Sequence, residues 1–152
     1  MIRFLADYLL IILLASGSAV LLYDCIKRSL WRRVPYVVMA GLTSLLFAKL
    51  ISLVYQPELV RPFVEKGVDP GAAFIDNPGF PSDHALLGGV VVLAVYAFTG
   101  RRWVSLILLV MALVMMVARV LALVHTPFDV VGGAAIAAVG GLWYIMMRRN
   151  EK

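Results

Sequence analysis

The stretch Asp76-Asn77-Pro78-Gly79-Phe80-Pro81-Ser82-Asp83-His84 is polar and turn-rich, and it runs straight into an apolar segment of an otherwise greasy chain. Pro78, Gly79 and Pro81 forbid a helix before it, Ser82 is a good N-cap, and Asp83 and His84 fall in the first turn of the helix that follows. A helix start with its free amides aimed out of an apolar layer attracts anions, phosphate above all, because unpaired N–H groups and the helix dipole both favour negative charge. An imidazole beside that anion can give or take a proton near neutral pH. A capped helix with an incidental histidine explains these nine residues equally well, so the rest of the chain must decide.

The 152 residues are 62% hydrophobic, with a mean hydropathy of +0.94, far above what a soluble core needs. The chain therefore reads as one all-α membrane domain, residues 1–152. Four apolar runs approach the roughly 20 residues that a bilayer crossing takes: Phe4 to Tyr23, Val34 to Tyr55, Trp103 to Val124 and Phe128 to Met147. A fifth, Ala85 to Thr99, is short but sufficient if its helix starts at Ser82 and its polar first turn lines a cavity. Residues 1–23 read as a span and not as a cleaved signal, since Ala15-Ser16-Gly17-Ser18-Ala19 continues into Val20-Leu21-Leu22-Tyr23 with no polar mature start. The expected architecture is a helical bundle of about five transmembrane helices.

The net charge of +5 is gathered at helix ends and gives no surface for nucleic acid. Lys27, Arg28, Arg32 and Arg33 lie between the first two spans, Arg101 and Arg102 between the third and fourth, and Arg148, Arg149 and Lys152 at the tail. Threading five spans puts all three clusters on one side, which the positive-inside rule makes cytoplasmic. The N-terminus and segment 56–82 then face outward, on the outer side of a plasma membrane. Five of the nine acidic residues, Glu58, Glu65, Asp69, Asp76 and Asp83, fall in or beside that segment. Cys25 is the only cysteine, which leaves no intrachain disulfide and no thiolate metal cluster.

Polar residues inside the apolar runs are few. Asp7 lies near the outer end of the first span, where hydration or packing against the bundle accounts for it, and no role is assigned. Lys49 interrupts the second span about six residues from its outer end; it either snorkels to the interface or turns inward to an anion. Segment 56–82, with Arg61-Pro62-Phe63 near its start, is long enough for a lid or a binding element. Arg119 stands alone in the fourth span, where an arginine marks a functional site by default. In His125-Thr126-Pro127-Phe128-Asp129, Thr126 reads as N-cap, Pro127 as first helical residue and Asp129 as the third residue past the cap. Gly88-Gly89, Gly132-Gly133 and Gly140-Gly141 supply small faces for close helix packing.

Lys49, Arg61, Ser82, His84, Arg119, His125 and Asp129 thus all map to the outer ends of spans two to five or to the adjoining loop. Cationic side chains and a helix N-terminus would hold a phosphate and stabilise its equatorial oxygens during transfer. A neutral histidine oriented by a carboxylate can attack phosphorus, and a protonated one can give the leaving oxygen its proton. No cofactor or metal is called for, and two histidines without a coherent carboxylate cluster fit a two-metal hydrolase poorly.

These residues resemble the type 2 phosphatidic acid phosphatases (PAP2), which share a helical core with the vanadium haloperoxidases. The family's third motif, Ser-Arg, five residues, His, three residues, Asp, is matched in spacing by Ala118-Arg119, His125 and Asp129. Its second motif, Pro-Ser-Gly-His, is matched by Pro81-Ser82-Asp83-His84. The aspartate variant, with Arg61-Pro62-Phe63 upstream and His125 to Gly133 downstream, looks most like the bacterial undecaprenyl-diphosphate phosphatase branch. The resemblance covers roughly residues 45–135 and implies His125 as nucleophile, Asp129 as its orienting partner and His84 as leaving-group acid. It makes Lys49, Arg61, Ser82, Arg119 and the Asp83 amide phosphate ligands. Three departures stand out. Eleven residues, not six, separate Lys49 from Arg61; Asp83 replaces a glycine; Ala118 replaces a serine. Five spans also stand where many relatives have six. The implied activity is hydrolysis of a lipid-linked phosphate, undecaprenyl diphosphate first, with phosphatidate or phosphatidylglycerophosphate as alternatives. A bundle that binds a lipid phosphate or supports a partner without turnover is the reading of another class. Membrane lipids are the expected partners.

Overall fold

A computed structural model of the chain describes residues 1–57, 60–76 and 79–150. Glu58, Asn77, Pro78 and Lys152, invoked above, lie outside the described residues. The chain is helical: α1 Ile2–Arg28, a 3-10 turn Trp31–Arg33, α2 Val34–Val54, a short α3 Pro62–Glu65, α4 Asp83–Thr99, α5 Arg102–Leu121, α6 Pro127–Gly140 and α7 Leu142–Asn150. Four stretches, 2–28, 31–54, 102–121 and 127–150, are long and apolar enough to cross a membrane, so this is a multi-pass membrane protein. Its fifth long helix, α4, has 17 residues, about 25 Å at ~1.5 Å per residue.

The shortest of the five is also the innermost, since α4 packs against α1, α2, α5 and α6. Leu13, Val95, Leu108 and Ala112 fill the seam with α1 and α5. Ala48, Leu86, Ile136 and Ala137 fill the seam with α2 and α6. Large side chains such as Leu46, Leu53, Val117 and Leu121 point outward instead, as expected where the solvent is lipid. Close approach rests on glycine. A Cβ on Gly133 would stand 2.5 Å from the Ser82 carbonyl oxygen, and one on Gly140 would stand 2.2 Å from that of Ala40. Only a glycine lets α6 lie so near the start of α4 and the middle of α2.

The helix boundaries depart from the apolar runs in two places. The fourth run extends to Val124, but α5 stops at Leu121 and Leu123 takes a left-handed backbone, φ 58°. The turn is held from outside. The Phe63 amide donates to the Leu123 carbonyl (3.0 Å), the Gly71 amide to that of Ala122 (3.0 Å), and the Arg61 guanidinium to that of Val124 (2.5 Å). Carbonyls that a helix end leaves orphaned are thereby used to dock segment 61–71 onto the bundle. The last run divides at Gly140-Gly141 into α6 and α7.

At the end carrying the basic clusters, Asp24 is fully buried and accepts from Arg101 (2.7 Å) and Arg28 (3.2 Å). Arg28 and Arg33 also donate to the Thr99 and Phe98 carbonyls at the C-terminus of α4, where the helix dipole favours cations. The charges used to orient the chain thus also lock α1, α4 and α5 together.

Candidate active site

At the opposite end, residues from segment 61–81, the start of α4, the end of α5 and the turn after it line a cavity of about 180 Å³ that Arg61, Asp83, His84, Arg119 and His125 face. Each arrives from a different local structure. Arg61 precedes α3, Asp83 and His84 open α4, Arg119 sits two residues before α5 ends, and His125 lies in the turn that follows.

The α5–α6 turn is built by the expected capping box. The Asp129 amide donates to Thr126 Oγ1 (3.2 Å) and the Thr126 amide donates to Asp129 Oδ2 (2.8 Å). That reciprocal pair, worth about 1 kcal/mol or so at a helix start, also fixes the carboxylate beside His125. His125 Nδ1 is 3.4 Å from Asp129 Oδ2, and both side chains are about 95% buried. The backbone of Gly79 covers the pair so closely that a Cβ there would sit 3.1 Å from Asp129 Oδ2. Burial pushes the His125 imidazole below its ordinary value; Asp129 opposes the shift, and the Arg119 and Arg61 charges reinforce it. The shift favours the neutral ring, whose Nδ1 faces the carboxylate.

Arg119 is 2% exposed. Its Nη1 donates to Asp7 Oδ1 (3.1 Å) and to the Ala73 carbonyl (2.8 Å), while its buried Nε has no hydrogen-bond partner among the described residues. Arg61 donates to the Val124 and Ile75 carbonyls and lies over the Phe74 ring. Burial lowers its pKa, and the Asp129, Asp76 and Asp83 carboxylates oppose that; an arginine stays charged regardless. Ser82 occupies the N-cap of α4 as expected, yet its hydroxyl caps nothing. Its amide donates to the Asp129 carbonyl (3.0 Å), and its fully buried Oγ makes no hydrogen bond among the described residues. Arg119 Nε and His125 Nδ1, on residues that line the cavity, and Ser82 Oγ, just behind it, are buried polar atoms without a hydrogen-bond partner among the described residues.

Lys49 is placed apart. It is exposed and lines a neighbouring cavity of about 530 Å³ with Gln56 and Phe80; Pro81 and Asp83 are shared between the two cavities. Helix α2 carries Lys49 more than a turn below its end at Val54, whereas Arg61 begins a separate short helix. The long spacer thus puts the two cations on different walls. Asp7, assigned no role from sequence, meets Arg119; the sign that picks out Arg119, an ionisable residue within an apolar run, applies equally to Asp7 and would have paired them. The backbone of Ala73–Ile75 carries no sequence signal at all. Among the described residues no group of three or more His, Cys, Asp and Glu side chains gathers as a metal site.

A helical membrane bundle with two histidines, a carboxylate, the buried Arg119 and the half-buried Arg61 at one rim suits a membrane phosphatase. The chain belongs to the PAP2 superfamily, whose family model matches residues 5–152; members of that family are phosphatases, and lipid phosphates suit this one's membrane setting. The bacitracin transport permease protein BcrC of Bacillus licheniformis is 30% identical to it over 148 residues, 93% of this chain and 68% of that protein. No solved structure gives a significant match.

Proposed function

We propose that this protein hydrolyses undecaprenyl diphosphate to undecaprenyl phosphate and inorganic phosphate on the outer face of a bacterial plasma membrane, through a phosphohistidine. The observation that supports it most is the buried His125–Asp129 pair beside a cavity with two arginines and unpartnered donors. Arg119, Arg61, Ser82 Oγ and the amides of Asp83 and His84 hold the terminal phosphate. The Nε2 lone pair of neutral His125 attacks phosphorus as the bond to the bridging oxygen breaks, and that oxygen takes a proton from His84. Asp129 accepts the Nδ1–H hydrogen bond and stabilises the positive ring. Water then gives a proton to His84 and attacks phosphorus, and the P–N bond breaks to return His125. No step calls on a metal.

The membrane placement follows from the positive-inside rule. The basic ends of α1, α5 and α7 become cytoplasmic, and the cavity opens where the diphosphate lipid is regenerated. Lys49 and the aromatic group Tyr55, Phe80 and Phe128 lie on the side where a lipid would lead away from the phosphate.

Phosphate release by detergent-purified protein, with EDTA present and His125→Ala as control, tests this on undecaprenyl diphosphate and phosphatidate side by side. Faster turnover of the diphosphate, lost in the mutant, is expected. Preference for phosphatidate would overturn the substrate. Tight lipid binding without release from either would replace the enzyme by a binding protein.

A further inference from the structure

We infer that Asp7, on the first transmembrane helix, is a positioning residue for phosphate binding, acting through Arg119 and the Ala73–Ile75 backbone; this rests on the phosphatase reading above. The geometry is a closed circuit. Both Asp7 oxygens accept from the Ala73 amide at 3.1 Å, and Asp7 Oδ1 also accepts from Arg119 Nη1 at 3.1 Å. Arg119 Nη1 reaches on to the carbonyl of the same Ala73 at 2.8 Å, and two residues later the Ile75 carbonyl accepts from Arg61 at 3.0 Å. One carboxylate therefore fixes a short extended strap whose carbonyls hold both arginines of the cavity.

The arrangement is specific in what it leaves over. Asp7 and Ala73 occupy only Nη1 of Arg119, and the buried Nε keeps no partner among the described residues. A guanidinium tethered at one corner presents its remaining N–H groups in a fixed direction, which suits a planar fork meeting phosphate oxygens. Without the tether the side chain could turn its charge toward the other carboxylates of the rim. Arg3, 3.8 Å from Asp7 and largely exposed, cannot replace Arg119 in this role. Ala72, next to the strap, belongs to a buried cluster with Ala6, Phe63, Ala118, Ala122 and Val124, so the strap's start is tied to the packed ends of α1 and α5.

Asp7→Asn keeps the shape and removes the charge. Expected are a fall in kcat/KM of about 10- to 100-fold, the scale of a displaced binding group, and a matching rise in the dissociation constant for orthovanadate, a pentacoordinate phosphate mimic. Asp69→Asn, another outer-segment carboxylate, should change neither. In an Arg119→Gln background Asp7→Asn should cost little more, because residues acting through one another are not additive. Asp7→Glu, which moves the carboxylate one methylene out, should weaken vanadate at unchanged Tm. Wild-type kinetics and vanadate affinity in both Asp7 variants, or an undiminished loss in the Arg119→Gln background, would overturn the inference. A wild-type protein that binds vanadate but hydrolyses no lipid would sink the phosphatase reading instead, and the vanadate comparison would still decide Asp7.

Discussion

His125 owes its place to a turn and its chemistry to burial. With the folded imidazole pushed below its ordinary value, about 6.5, the ring stays neutral through pH 7 and stays so as pH falls to that value. Protonation of the nucleophile should then depress hydrolysis only below that value, while loss of the proton that the proposed leaving-group acid His84 must carry should depress it toward higher pH, so kcat/KM should fall on both sides of an optimum, which a pH profile checks. The same shift bears on stability. Below about 6.5 the unfolded chain takes up a proton at this position and the folded one does not, so the group's contribution fades as pH falls. His84→Ala should lower kcat by roughly 10²–10⁴-fold, the usual weight of a general acid, with smaller loss for substrates whose leaving group needs no proton. Gly79→Val presses on Asp129 and His125 and should reduce turnover with little change in Tm. Both histidines and Asp129 were legible in the sequence because their motif spacing is local. The role of Asp7 was not, although it carries the same sign as Arg119, an ionisable group in an apolar run, because its place near the span end lets hydration explain it and its partner lies 112 positions away.

At the scale of elements, the capping box of α6 and the start of α4 follow from neighbouring residues and were readable in advance. The end of α5 was not. Its carbonyls are taken by residues 61–71, and nothing in 120–125 announces that tertiary capture. Glycine carries the helix contacts. Gly133→Val forces a side chain into the Ser82 carbonyl and should cost about 1–3 kcal/mol as overpacking, seen as a lower Tm in detergent, while also shifting the first turn of α4 and with it His84. Asp24→Ala separates the two ends. It removes the acceptor shared by Arg28 and Arg101, and a loss of roughly 1–3 kcal/mol is expected. kcat/KM of the remaining folded protein should be unchanged, since the far rim is untouched.

Over the whole molecule the two ends divide the work. One is basic and closed by Asp24, Arg28 and Arg101; the other holds the histidines beneath a strap of loop. The sequence told this division plainly, because charge at helix ends survives any detail of packing. It placed Lys49 with the other cations by its position near the outer end of the second span and by motif, and the structure sets it in the next cavity. In a Cys25→Ser background, Lys66→Cys should react with a membrane-impermeant maleimide added to intact cells, and Arg102→Cys only after the cells are opened. The reverse pattern would invert the topology.

The proposed chemistry turns on one bond, between His125 Nε2 and phosphorus. Purified protein turning over undecaprenyl diphosphate radiolabelled in its terminal phosphate, quenched in alkaline detergent and digested, would show where the phosphoryl group rests. Acid-labile, alkali-stable label on the peptide carrying His125, absent from His125→Ala, is the expected result. Steady turnover with no labelled protein, or label on another residue, would contradict it.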